Sequence, residues 1–531
     1  MRCVTRPTGK QTSKLKPSET GLGETRGTKQ PDAIVRKLTT LLIAITLCTA
    51  SIRNKAIGIE PPDVRPNILL ILADDLAWSD LACYGHPWHD TPNLDRLAES
   101  GMRFTQGYAS APICSASRAS ILTGKTTARL GFEFVTKDKP GFQVIDQPTP
   151  LRAPPYQLNL DLKHETIAEH LNALNYRTEF FGKWHLNAHH GGYLGWSPTH
   201  GPKQQGFQQA TQDFGSHPYG WKSNPPPTMD KPGTFANDSL IDQACKSITE
   251  FNERPFFKMV SLFHVHTPVK TSCTWLIDKY SDRVPANSKN RERRIRYAGF
   301  VETLDHHVGQ ILDALKLANQ EQKTLVLFTS DNGGHPEYTA NEPLRGSKWN
   351  LYEGGIRVPF LAKWPKVIKP NTTTHYPVIG YDLLPTIVDF AGGAEVESDG
   401  KSLRAVLLNK TATLQQQANK LYSSTQKRNL LWHFPYYHPE TGYAKAIEKI
   451  GVNDFSVSKT HPHSAIRIGK HKLLWFPEND SVELYDLQMD PSESNNLASE
   501  QVQISMQLKK VLLQQLIEMK ARQAVVKQTL N

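Results

Sequence analysis

Long apolar runs without polar alternation divide the chain into a series of predicted strands. A run of this kind is typical of a strand buried on both faces, as in a parallel sheet covered by helices. Segments with helical spacing of apolar residues lie between them, at 166–174 and 301–317. The alternation predicts an α/β fold with a large mixed, mostly parallel sheet sandwiched by helices. The predicted strands are 67–73, 177–181, 256–263 and 324–329.

The pattern changes after a Gln-rich stretch at 415–417, which we interpret as a solvated connector. Beyond it, short apolar segments alternate with Gly, Asn and Asp turns, and an amphipathic segment follows at 502–519. We therefore expect a smaller C-terminal antiparallel sheet with a helix. The predicted short strands are 430–434, 465–468, 472–476 and 482–487. The predicted organisation is a leader at 1–55, a main domain at 61–410 and a C-terminal α+β subdomain at 411–531.

The net charge of +11 is concentrated in the first 55 residues, which hold eleven Lys and Arg against three acidic residues. The rest of the chain carries only +3, so the basic composition gives no reason to expect a nucleic-acid partner.

A short apolar run, 38–50, follows Arg36 and Lys37 within the leader. It is too short to span a bilayer comfortably but fits the apolar region of a secretory signal. We expect export to the periplasm or the extracellular space, with no stable membrane insertion once the leader is removed. A membrane-anchoring helix, a lipid-modified Cys48 and a buried helix are the alternatives.

Polar side chains follow each predicted strand of the main domain. Ligands of open α/β sheets bind beyond the carboxyl ends of the strands, so we expect these side chains to converge on one pocket. Taken singly, each also fits a helix cap, a surface charge, a structural histidine or a turn. Carboxylate and amide oxygens are hard ligands that favour Ca²⁺, with Mg²⁺ as the alternative. The residues are Asp74 and Asp75, Lys183 and His185, His266, and Asp331 and Asn332.

Cys114 and Arg118 lie four positions apart at the start of a predicted helix that Gly124 closes. The N-terminus of a helix attracts anions, and Arg118 shares a helix face with Cys114. The pattern predicts a nucleophile in an anion-binding site. A thiolate with a histidine base, as in cysteine hydrolases, is one possibility, but a thiolate is a poor ligand for a hard cation. The other cysteines beyond the leader, Cys83, Cys245 and Cys273, show neither the CxxC spacing of a metal site nor a disulfide scaffold.

The segment 114–124, CSASRASILTG, resembles the signature of the formylglycine-dependent sulfatases of the alkaline phosphatase superfamily. Further ordered matches cover nearly all of the chain beyond the leader. The commonest family pattern has proline two residues after the cysteine, where this chain has Ala116, as bacterial members do. The matching segments are 66–75, 182–185, 331–334, 343–348, 352–359 and 483–497.

The resemblance implies an alkaline phosphatase-like fold, with 61–410 as the catalytic domain, and a role for each site residue. A formylglycine-generating maturation enzyme would convert Cys114 to formylglycine (3-oxoalanine). The implied metal ligands are residue 114 with Asp74, Asp75, Asp331 and Asn332.

The resemblance also implies a reaction, in which the hydrate of formylglycine attacks a sulfate ester and a covalent sulfate hemiester forms. Arg118 and Lys183 would hold the hydrate, with a further hydrogen bond from Ser216. His266 and Lys348 would protonate the leaving alcohol and clamp the sulfate, and His185 would then release inorganic sulfate. The implied substrate is an aryl sulfate or a sulfated carbohydrate.

Two other functions remain compatible with the sequence. A phosphate mono- or diester hydrolase of the same superfamily would use a similar nucleophile. A secreted glycan-binding relative would keep Cys114 as an unreacted thiol. We expect substrate specificity to depend on the segments 136–160, 189–193 and 432–437, whose aromatics could equally pack the domain junction.

Overall fold

The computed structural model describes residues 65–145, 148–221, 225–250, 253–408, 428–438 and 460–527. The predicted leader at 1–55 and the predicted domain boundary at 410 lie outside these residues. Within them, no helix is both long enough and apolar enough to cross a membrane.

Sixteen strands occur in the described part of the chain. They are β1 Asn67–Ala73, β2 Met102–Phe104, β3 Gly107–Tyr108, β4 Leu151–Arg152, β5 Arg177–Gly182, β6 Gln209–Thr211, β7 Phe256–Ser261, β8 Thr324–Ser330, β9 Phe360–Lys363, β10 Thr372–Thr374, β11 Val378–Ile379, β12 Asn429–Phe434, β13 His463–Ile468, β14 His471–Phe476, β15 Ser481–Asp486 and β16 Val525–Val526.

The α-helices alternate with these strands in the first part of the described chain. They are Pro92–Glu99, Cys114–Thr123, Thr127–Leu130, Ile167–Ala173, Ser239–Thr249, Thr274–Arg283, Arg291–Leu317, Glu353–Ile356, Leu383–Phe390, Arg404–Leu407 and Val502–Glu518.

Eight strands form the central sheet, in the order β10-β2-β9-β8-β1-β7-β5-β6. β9 runs antiparallel to β8 and to β2, and the other neighbouring pairs are parallel. All seven residues of β1 are buried, because alternate residues face two separate cores. Leu70 contributes to one core and Ile71 to the other. The predicted mixed, mostly parallel sheet between helices is confirmed.

Several element boundaries differ from the prediction. β7 ends at Ser261 instead of residue 263, because the chain then turns to form backbone hydrogen bonds with Asp74. In one of them, the Asp74 amide donates to the His264 carbonyl at 3.0 Å. The predicted helix at 301–317 begins earlier, at Arg291. Its first turns are dominated by Arg and Glu and bury only scattered side chains such as Ile295, so they lack an apolar run.

The C-terminal sheet is antiparallel, as predicted, and its strand order is β12-β13-β14-β15. One face packs on the helix Val502–Glu518 through Leu431, Leu473 and Leu512. The other face carries Trp432 and Leu474, which share a core with Cys114. A fully buried large apolar side chain contributes about 1.5–3 kcal/mol, so this sheet supports the segment that holds Cys114.

Candidate active site

Four of the five predicted metal ligands, all except residue 114, lie side by side at the carboxyl edge of the central sheet. β1 and β8 are parallel neighbours with Ala73 opposite Ser330, so the residues that follow the two strands meet. The amide of Asp75 donates to Asp331 Oδ1 at 3.1 Å. Nδ2 of Asn332 donates to Asp75 Oδ1 at 2.7 Å. Residues from two distant parts of the sequence therefore form one oxygen cluster.

The oxygens of this cluster fit a hard divalent cation. Asp74 Oδ1 and Asn332 Oδ1 are buried and have no hydrogen-bond partner among the described residues. Such atoms are costly to bury unless something pairs with them. Asp74, Asp75 and His266 also bring ligand atoms within 4.8 Å of one another. Burial raises the pKa of Asp331 to about 6, an effect that Arg118 opposes and that a bound cation would reverse.

Cys114 is the first residue of the helix Cys114–Thr123, which Gly124 ends in a left-handed conformation with φ 65°, as the sequence predicts. The sulfur is buried and lies 3.4 Å from His185 Nδ1. Burial raises the pKa of the thiol, although Lys183 and Lys348 lower it. An unmodified Cys114 is therefore mostly a neutral thiol, which is a weak nucleophile.

Arg118 connects the helix to the oxygen cluster. Its Nε donates to Asp331 Oδ2 at 2.8 Å, and its Nη2 lies 2.8 Å from the same oxygen. Its Nη1 donates to the Lys183 carbonyl at 2.9 Å and to Ser261 Oγ. All of these partners are protein groups at the carboxyl ends of strands in the central sheet. In this structure, Arg118 fixes the helix start against the ends of β5, β7 and β8.

The two predicted lysines each pair with one carboxylate of the cluster. Lys183 Nζ lies 2.5 Å from Asp74 Oδ2, and Lys348 Nζ lies 2.7 Å from Asp75 Oδ2. All four side chains are buried. Burial alone would raise the pKa of Asp75, but Lys348 and then His266 hold it well below its usual value.

Both predicted histidines are neutral in this environment. Burial, and then the neighbouring Lys183, holds the pKa of His185 well below its usual value. Burial and then Lys348 lower the pKa of His266 to about 3, although Asp75 opposes the shift. His266 Nδ1 lies 2.6 Å from the Thr267 carbonyl, so Nε2 faces Asp75 at 3.6 Å. Each ring can therefore accept a proton at the nitrogen that faces the site.

A cavity of about 620 Å³ opens above these groups. Cys114, His185, His266 and Lys348 line it, and so do Thr136 and His189 from the predicted specificity segments. Several further lining residues were not among the predicted site residues, although His335 and Trp349 directly follow predicted motifs. The missed residues are Tyr219, His335, Tyr338 and Trp349.

The structure places two further sets of predicted site residues outside the cavity lining. Ser216 does not line the cavity, because its hydroxyl donates to Asp238 Oδ2 at 2.6 Å. Trp432 and Tyr436 are fully buried in the core beneath Cys114, which agrees with the packing alternative for the segment 432–437.

Comparison with known proteins gives consistent matches. The Sulfatase family model matches residues 66–394. Human arylsulfatase A is 32% identical over 473 residues, which cover 81% of this chain and 83% of that protein. N-acetylgalactosamine-6-sulfatase of Canis lupus familiaris is 30% identical over 62% of each chain. The crystal structure of Ps i-CgsB in complex with k-i-k-neocarrahexaose superposes with a TM-score of 0.63 at 24% identity, covering 85% of this chain and 93% of that one.

Proposed function

Since the chain belongs to the sulfatase family and hydrolyses sulfate esters, we propose that it acts on a sulfated carbohydrate, with Cys114 oxidised to formylglycine as the nucleophile. One observation carries the proposal. The sulfur of Cys114, at the start of the helix, lies 3.4 Å from His185 Nδ1. Lys348 and His266 line the same cavity. The proposed nucleophile at residue 114, the lysine Lys348 and the neutral imidazoles of His185 and His266 thus line the same cavity.

The oxidation of Cys114 matters because the thiol itself is poorly suited to the site. Burial keeps it neutral, and sulfur is a weak ligand for a hard cation. The hydrate of an aldehyde supplies oxygen in place of sulfur and carries a second hydroxyl for the release of sulfate. A formylglycine-generating maturation enzyme is the partner that this step requires.

Asp74, Asp75, Asp331 and Asn332 would hold the cation, for which we propose Ca²⁺ because flexible carboxylate and amide oxygens suit it. Bound there, the ion would lower the pKa of a hydroxyl at residue 114 and polarise the sulfate. Asp74 Oδ1 and Asn332 Oδ1, which have no hydrogen-bond partner among the described residues, support this assignment.

The chain's own side chains would divide the remaining work. Lys348 presents its ammonium to the cavity and would bind the sulfate oxygens as charge develops. The negative charge of a bound sulfate ester would raise the pKa of His266, so that its ring would take up a proton at Nε2 and pass it to the leaving alcohol, and His185 would take one at Nδ1 from residue 114. Arg118 and Lys183 would hold residue 114 by fixing the helix start and Asp74.

The lining of the cavity supports a carbohydrate substrate. Its volume of about 620 Å³ suits a ligand of one or a few sugar rings. Tyr193, Tyr219, Tyr338 and Trp349 offer aromatic faces, and Lys137 adds a cation for an anionic substituent. The N-acetylgalactosamine-6-sulfatase relative and the neocarrahexaose complex are consistent with this class.

We also propose that the leader exports the enzyme to the periplasm or the extracellular space.

Parallel assays on nitrophenyl sulfate and nitrophenyl phosphate test the reaction, with Cys114→Ala as the critical variant. Cys245→Ala is the matched control, because this cysteine lies outside the cavity lining. We expect turnover of the sulfate, its loss in Cys114→Ala and its retention in Cys245→Ala. A higher kcat/KM for the phosphate, or activity in Cys114→Ala, would contradict the proposal. Desulfation of a panel of defined sulfated sugars then identifies the substrate.

A further inference from the structure

We propose that this chain binds a second metal ion, zinc, at a site formed by Asp238, His264 and His307 with the hydroxyl of Ser216. The four residues come from separate elements. Asp238 caps the helix Ser239–Thr249, His264 follows β7, and His307 lies within the helix Arg291–Leu317. Ser216 lies in a loop after β6. None of the four lines the cavity at Cys114.

The distances between the candidate ligand atoms suit an ion with tetrahedral coordination. Asp238, His264 and His307 offer ligand atoms that all lie within 4.8 Å of one another. His307 Nε2 is 3.4 Å from Asp238 Oδ2 and 3.1 Å from Ser216 Oγ. Zinc bonds of about 2.0–2.1 Å place neighbouring tetrahedral ligands about 3.3 Å apart. His307, Asp238 and Ser216 are therefore close to the required spacing before any ion is bound, and the ligand atom of His264 lies within 4.8 Å of those of Asp238 and His307.

The carboxylate of Asp238 already accepts from the Ser216 amide at 2.7 Å and from the Ile241 amide at 3.0 Å, so the histidine nitrogens that face the cluster are the atoms that lack a donor. Ser216 has one hydroxyl proton, which it gives to Asp238 Oδ2 at 2.6 Å. His307 Nδ1 lies 3.2 Å from Gln310 Oε1, and a proton on Nδ1 leaves Nε2 with a lone pair directed at the cluster. His264 Nε2 is buried and has no hydrogen-bond partner among the described residues. A cation among these atoms would satisfy all of them.

The ligand types favour zinc over calcium. Two imidazoles and one carboxylate form a common zinc ligand set, whereas calcium prefers oxygen alone. All four side chains are buried, which is typical of a closed, structural zinc site.

The position of the site indicates what the ion would do. The His264 carbonyl accepts from the Asp74 amide at 3.0 Å, and the Val265 amide donates to the Asp74 carbonyl at 2.8 Å. His217, next to Ser216, approaches the His266 carbonyl with Nε2 at 3.0 Å. Zinc would therefore brace the segment that carries His266 and positions Asp74, without contacting substrate.

Anomalous diffraction at the zinc edge tests the proposal on the wild-type chain, in crystals grown with zinc chloride. We expect a peak between Asp238 and His307, within about 2.1 Å of both. A map without a peak there, or with zinc only at Asp74 and Asp75, would overturn the proposal. The measurement is independent of sulfatase activity, and it does not require a variant to fold.

Metal analysis of purified protein provides the second test, with His264→Leu and His307→Leu as variants. His306→Leu is the matched control, because His306 is next to His307 but its ring stacks on Phe235 instead. We expect about one zinc per chain in the wild type and in the control, and a loss of at least tenfold in the two variants. Zinc retained in both folded variants, or a wild type that binds none from added zinc chloride, would contradict the site.

Discussion

The ion pair between Lys348 and Asp75 predicts a large loss of stability when the ammonium is removed. The two charged atoms are 2.7 Å apart, and the side chains are only 5% and 1% exposed. Lys348→Met keeps most of the side-chain volume but leaves the Asp75 carboxylate buried without this partner. Breaking a buried pair in this way typically costs 3–5 kcal/mol. Asn332 still donates to the other oxygen of Asp75 at 2.7 Å, so we expect about 3 kcal/mol.

The same variant should also lose activity, because Lys348 faces the cavity. Removing one group that stabilises developing charge costs about 10²–10³ in kcat, and we expect a fall of that size with nitrophenyl sulfate. Urea unfolding followed by tryptophan fluorescence measures the stability. The control is Lys470→Met, whose ion pair with Asp486 spans 2.6 Å with the lysine side chain 43% exposed. An exposed pair of this kind contributes at most about 1 kcal/mol.

Destabilisation of Lys348→Met no greater than that of Lys470→Met, with kcat/KM within a few-fold of the wild type, would refute both roles of Lys348. A loss of stability with full activity would support the buried ion pair but contradict the assignment of Lys348 to sulfate binding.

Three other perturbations should change the stability or the activity of the site. Arg118→Lys should lose about 2 kcal/mol or more, measured by urea unfolding, because an ammonium cannot reach both Asp331 and the Lys183 carbonyl. EGTA should lower both Tm and activity, with recovery on addition of Ca²⁺, and an unchanged Tm would contradict the oxygen site. A base is inactive at pH values below its pKa, because it is then protonated. Burial, and then the neighbouring Lys183, lowers the pKa of His185. The acid limb of the profile of kcat against pH should therefore fall well below pH 6.5. A limb at or above pH 6.5 would contradict this role.

The central sheet and the oxygen cluster were predictable because both depend on local sequence. β1 is a short apolar run, which is typical of a strand buried on both faces. Asp74 directly follows β1, and Asp331 directly follows β8. Parallel strands place their carboxyl ends at one edge, so the sequence predicts that both aspartates lie at that edge, whereas their direct contact also depends on β1 and β8 being neighbours.

The pairings between distant residues were not predictable, because they depend on strand order and on how helices lie over the sheet. Lys183 meets Asp74 only because β7 alone separates β5 from β1. Ser216 bonds to Asp238 because the helix that Asp238 caps lies beside the loop after β6. Trp432 was a candidate for substrate binding on composition alone, and tertiary packing instead buries it beneath Cys114.

The state of residue 114 in active enzyme tests the central claim most directly. Mass spectrometry of the peptide that contains it, together with capture of the aldehyde by a hydrazide reagent, measures the converted fraction. We predict that specific activity on nitrophenyl sulfate rises in proportion to this fraction across preparations made with and without a maturation enzyme. Full activity in a preparation whose Cys114 is entirely an unmodified thiol would contradict the account.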